Sequence, residues 1–172
     1  MTENNPEEFV CSQCGELHPI AMKYSVKVPQ AAIDLPKDQL DERLVITPDQ
    51  CVIDGKDFYL RGRLLVPVIG LEEPFVWGVW AEVGPTDFIR TNERWSVEGR
   101  ELEPAFPGWL NTRLPLFGNT INLEVDVKTQ VVGWRPQFTV RDQSHPLARE
   151  QRQGITLDRV REIAEQIAHL HA

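Results

Sequence analysis

The sequence predicts an α+β fold, a mostly antiparallel β-sheet with a short early helix and C-terminal helices packed on the sheet. Three observations carry this expectation. Asp54 and Gly55 stand between two runs rich in β-branched and aromatic residues, within "CVIDGKDFYLRGRLLVPVIG", and Asp-Gly in that setting marks a tight hairpin. Residues 74–84, "PFVWGVWAEVG", put apolar side chains at both odd and even positions, as a central strand covered on both faces does. After Thr156, the residues Leu157, Val160, Ile163, Ala164, Ile167 and Leu170 recur as one helical stripe.

Taken in order, residues 1–8 are polar and expected to be flexible, and residues 9–20 form a Cys-X-X-Cys turn. Thirteen prolines lie in the first 146 residues, so strands and turns fit there better than long helices. The segment "IDLPKDQLDERLV" is the one early helix expected, entered at Asp34 or Leu35 just before Pro36. Across the Asp54-Gly55 turn, Cys51 to Asp54 should pair with Phe58 to Gly62. Gly78, lying between two tryptophans, leaves room for a neighbour to approach closely. "PGWLNTRLPLFGNTINLEVDV" begins as a loop and becomes a strand, with Ile121, Leu123, Val125 and Val127 alternating against Asn122, Glu124 and Asp126 on a wet face. "PQFTVRD" reads as the last strand. The helical segment 144–170 then opens at Ser144 or His145 before Pro146, breaks at Gly154, and restarts after the N-cap Thr156.

With 172 residues, 41% hydrophobic and 26% charged, the chain fits one soluble domain, 1–172, able to bury a core without disulfides. No apolar run reaches the roughly 18 residues a membrane helix needs. The start "MTENNPEEF" is acidic where a secretory signal is basic and then apolar, so a cytoplasmic location with reduced cysteines is expected. A net charge of −8 without a basic cluster argues against nucleic acid. The expected partner is a protein or a small molecule, with neither nucleic acid nor membrane.

The chemistry concentrates in "CSQCGELH". A Cys-X-X-Cys turn presents two sulfurs on one side, and Gly15 after it lets the chain reverse. Zinc takes four N or S ligands in a tetrahedron, and Cys11, Cys14, His18 and Cys51 could supply them, using every cysteine in the chain. No second Cys-X-X-Cys follows, so reduced, partly buried thiols without metal are weighed beside structural zinc. A redox pair would need a helix start, which Gly15 and Pro19 disfavour.

The phrases "CSQCGELH", "CVIDGKDFYLRG", "PVIG", "FVWGVW", "PGWLNTRLP" and "SHPLAREQRQGI" occur in this order. As a set they resemble domain of unknown function 2199, a family of uncharacterised, mostly bacterial proteins, over roughly residues 9 to 165. The resemblance implies relatives and no assigned activity. Two features set the chain against the family's pattern: Ala81 and Glu82 stand where a small residue and a serine are usual, and the position of His18 is not always a histidine.

The other candidates have ordinary explanations. His145 before a proline suits helix capping, while His169 and His171 lie in the last four residues, where helices fray. Asp49, Asp54 and Asp57 surround the hairpin as turn residues do. Trp109, read as part of a loop, is a place for a partner to land. The expectation is therefore a binding or accessory module, with structural zinc and metal-free thiols both open for its cysteines. The alternative is a hydrolase-type enzyme using Arg61 and carboxylates near the central hairpin, drawn from Asp49, Asp57 and Glu82 with His145.

Overall fold

The structure is a computed structural model, and it describes residues 8–170. Five strands close a barrel: β6 (Asp57–Val66), β7 (Phe75–Val83), β8 (Phe106–Leu110), β9 (Glu124–Lys128) and β10 (Gln137–Val140). Each neighbour is antiparallel except the closing pair, where β10 runs parallel to β6 through Gln137 opposite Arg63. The expectation of a mostly antiparallel sheet is thus partly right, and closure is what it lacked.

Strand length explains the closure. With 10 and 9 residues, β6 and β7 are each long enough to hold two neighbours along one edge. On β6 these are β10 and β5 (Gln50–Ile53); on β7 they are β8 and β3 (Lys23–Ser25), the latter parallel. β4 (Leu44–Ile46) extends the sheet beyond β5, and β1 (Glu8–Val10) with β2 (Leu17–Pro19) makes a separate antiparallel hairpin. The Asp54-Gly55 turn forms as expected, with φ of 54° and 66° at the two central residues, the left-handed pair that a type I′ turn demands.

Where the sequence reading differs from the structure, proline and short pairing are the causes. The early helix is preceded by a further short one, α1 (Gln30–Ile33), and is itself a 3₁₀ turn at Lys37–Gln39 running into α2 (Leu40–Arg43). Pro36 separates the two helical segments, because proline lacks a donor and pushes the residue before it out of the helical region. The phrase "FPGWL", read as a loop, is strand β8. Helix α3 (Pro85–Glu93) was not expected. The C-terminal helices are as read: α4 (Pro146–Gln153) is capped by His145, whose Nδ1 accepts from the Leu147 N–H at 3.1 Å, and α5 (Leu157–Ala168) by the Thr156 hydroxyl, which accepts from the Arg159 N–H at 3.2 Å.

The main core fills the barrel and the space beneath α4 and α5, with Leu64, Phe75, Trp77, Val125, Leu147 and Ile163 fully buried. A second, smaller cluster lies apart from it: Ala32, Cys51, Ile53, Tyr59 and Trp80, with Val28 and Leu35 packed against them. The segment around α1 thereby covers one face of β5, β6 and β7.

Glycine permits two close approaches. A Cβ at Gly78 would meet the Ser25 side chain and lie 3.3 Å from Ser25 Cα, so β3 can pair there only because the residue is glycine. A Cβ at Gly62 would fall into the Phe138 ring, 2.5 Å from one edge carbon and 2.7 Å from another. Phe138 is itself 1% exposed and has little freedom to move. Gly62→Ala is accordingly expected to cost about 1–3 kcal/mol in urea unfolding, the usual cost of overpacking. An unchanged midpoint would show that the barrel seam is looser than its geometry.

No helix of the described residues is long and apolar enough to cross a membrane.

Candidate metal centre

The hairpin β1–β2 sets Phe9 opposite His18 and Val10 opposite Leu17. Its turn holds "CSQCG": the Cys11 N–H donates to Glu16 O at 2.8 Å, and the Gly15 N–H donates to Cys11 O at 2.9 Å. Gly15 has φ of 74°, a left-handed position suited to glycine. The turn points both cysteines toward the C-terminal end of α5, where His169 follows the helix as its C-cap.

One ligand atom from each of Cys11, Cys14, His18 and His169 lies within 4.8 Å of the other three. Cys11 Sγ is 3.2 Å from His169 Nε2, and Cys14 Sγ is 3.2 Å from His18 Nε2. Tetrahedral zinc with bonds of about 2.0–2.3 Å spaces its ligand atoms by about 3.3–3.8 Å. Small side-chain adjustments therefore bring the set into register, and these four residues lie close enough to hold one metal ion.

The surroundings support that geometry. Glu165, one turn before His169 on α5, accepts from the Ser12 N–H at 2.7 Å and the Ser12 hydroxyl at 2.8 Å, which fastens the turn to the helix. These two donors hold the Glu165 carboxyl below its ordinary range. Burial pushes the Cys11 thiol up, but the hydrogen bonds from His169 and from the Cys14 and Gln13 amides outweigh it and bring the thiol down to about 7. The Glu16 amide favours the Cys14 thiolate, yet burial and the neighbouring Cys11 sulfur together raise it. Two sulfurs so close resist carrying charge together, and a divalent cation between them removes that conflict.

The structure puts His169 in this cluster, where the sequence reading had put Cys51. Cys51 is on β5, opposite Tyr59, and completely buried in the second cluster. Burial pushes its thiol up to about 11, as in a packed, protonated side chain, and its sulfur is not among the four ligand atoms that come together. His18 is in the cluster, while His171 lies outside the described residues.

The remaining candidates fall into smaller groups, Asp49 beside Arg61 and Asp57 beside Glu82. Asp49 pairs with Arg135 at 2.7 Å, and Asp54 takes two hydrogen bonds of 2.8 Å from Arg43. Arg61 donates to Pro48 O at 3.1 Å and lies 5.9 Å over the Trp80 ring. Burial and then the charge of Asp57 raise the Glu82 carboxyl above its usual range. His145 is engaged in capping α4. Trp109 is 37% exposed on β8, between Glu82 and Glu124 on the flanking strands.

A family model described as "Uncharacterized protein conserved in bacteria (DUF2199)" matches residues 10–155. The chain belongs to this family. The match to DUF2199 takes in Cys11, Cys14 and His18 and stops short of His169. No curated protein and no solved structure matches the chain.

Proposed function

We propose that this DUF2199 protein is a binding or accessory module whose N-terminal hairpin is clamped to its last helix by a structural zinc ion. The observation that carries the proposal is the convergence of two sulfurs and two ring nitrogens, from positions as far apart as Cys11 and His169, within 4.8 Å. A Cys₂His₂ set suits borderline-soft, tetrahedral zinc. Four protein ligands fill the coordination shell, and catalytic zinc keeps one position for water. The role that follows is mechanical: Cys11, Cys14 and His18 hold the ion on the hairpin, and His169 ties it to α5. The Gln13 N–H, 3.4 Å from Cys11 Sγ, would orient that sulfur.

Metal analysis of the purified chain beside three variants tests this. About one zinc per chain is expected, lost in Cys11→Ser and in His169→Ala and retained in Cys51→Ser. Metal-free protein, or zinc that survives His169→Ala, would sink the clamp.

A further inference from the structure

A second built feature lies away from the cysteines, at the seam where the barrel closes. The connection 129–136 between β9 and β10 exposes Val131, Val132 and Trp134 by 49%, 42% and 57%, and neighbouring Trp95 by 41%. A surface loop carrying such side chains would gain by folding them inward. Its backbone is instead fixed from beneath by Arg100. That buried guanidinium donates to Gln130 O at 2.8 Å, Val131 O at 3.1 Å and Trp134 O at 2.9 Å, and to Trp95 O at 2.8 Å. The aromatic rings are thus presented on a rigid support.

Between Trp95, Val132 and Trp134 lies a cavity of about 270 Å³, with the Asp49–Arg135 pair in its wall. Lys23 and Arg63 line an adjoining pocket of about 380 Å³ that shares Asp49, Gly133, Trp134 and Arg135 with the cavity, and the Arg63 guanidinium sits 5.1 Å over the Trp134 ring. Neither Lys23 nor Arg63 makes an ion pair among the described residues. Arg61, near Asp49 and Arg135, has a buried Nε with no partner, and burial with the charge of Arg135 makes its own charge less favourable. In a chain of net charge −8, this is a local surplus of cations around an apolar pit.

We propose that this groove binds an acidic segment of a partner protein, one apolar side chain entering the cavity and its carboxylates meeting Lys23 and Arg63. The cavity and the pocket beside it share Asp49, Gly133, Trp134 and Arg135 and so form one extended groove, which suits a segment anchored by a single side chain. Tryptophan and arginine are the residues that dominate protein interfaces, and the unpaired cations select the sign of the partner. The proposal gives the binding-module reading a partner class and does not depend on the metal.

Panning a phage-displayed library of random dodecapeptides against the purified full-length chain tests it. Enriched peptides should carry Asp or Glu on both sides of an aromatic or large aliphatic residue. Their affinity, read by fluorescence polarisation, should fall by about tenfold or more in Trp134→Ala and in Arg63→Glu, weaken with added salt, and stay unchanged in Trp109→Ala. Matching melting curves keep a folding defect from imitating this result. No enriched peptides, enrichment of basic or uncharged ones, or binding indifferent to both groove variants would overturn the proposal. Zinc content is measured separately, so a failed clamp and a failed groove give different results.

Discussion

Stripping the proposed zinc ion with a chelator is expected to reduce the hydrogen-exchange protection of the Cys11 and Gly15 amides by about a thousandfold, while β6 and β7 keep theirs. The reason lies in how little else holds the hairpin. Its two strands have three residues each, and an isolated two-stranded hairpin is marginal in water. Phe9 and Cys11 are its buried apolar members, whereas Val10 and Leu17 are 67% and 62% exposed. Beyond these, the fastening is the Ser12–Glu165 pair of hydrogen bonds and the proposed ion. A ligand present at about a thousand times its dissociation constant contributes about 4 kcal/mol to the state that binds it, which is the thousandfold change in local opening. The barrel strands belong to a core that contains none of the four candidate ligands, so opening of the hairpin does not require theirs. Protection at Cys11 that survives chelation would mean that the hairpin is held by packing, with the ion incidental.

The legible parts of this fold were those set by local chemistry. Asp54-Gly55 fixed its hairpin because both central residues must adopt positive φ, and Gly154 and Thr156 marked helix ends through their own backbone and hydroxyl groups. β7 was readable because both its faces are buried, which leaves no polar alternation. Barrel closure was not readable, since β10 meets β6 through Gln137 and Arg63, a contact that depends on the curvature of the strands between them. Helix α3 was missed because it buries no residue completely; its Pro85 at the first helical position and Asp87 in the first turn were the signals available.

The candidate site divides in the same way. Cys11, Cys14 and His18 share one short hairpin and announced themselves by spacing. His169 is 158 positions from its sulfur neighbour, and only the packing of α5 against the hairpin brings it there. Counting cysteines pointed to Cys51 instead, and burial beside Tyr59 and Trp80 explains that residue without a metal. A sequence-level hint did exist in Glu165 and His169, which stand four apart and hence on one face of the helix. Their partners, Ser12 and Cys11, are likewise adjacent in the chain.

Arg100→Met is expected to destabilise the whole protein by about 3 kcal/mol, because it keeps the apolar stem and removes every donor from four carbonyls. Arg100 is 6% exposed and has no ion pair among the described residues. Its charge is carried by the carbonyls of Trp95, Gln130, Val131 and Trp134 and by the Trp95 ring at 5.7 Å. Hydrogen bonds to a charged group contribute about 1.5–3 kcal/mol each. Their sum overstates the loss, since the loop lies at the surface and freed carbonyls can turn to water. For a chain of this length, about 3 kcal/mol corresponds to a melting temperature lower by about 6–12 °C. Arg100→Lys should recover little, because an ammonium is a point charge without the planar fork that reaches four acceptors. In both variants the connection 129–136 should lose its fixed backbone, and Trp134 emission should shift to the red as the ring leaves Arg63. Wild-type melting in Arg100→Lys would show that the charge alone is sufficient, and that the groove is not held open by the geometry of one guanidinium.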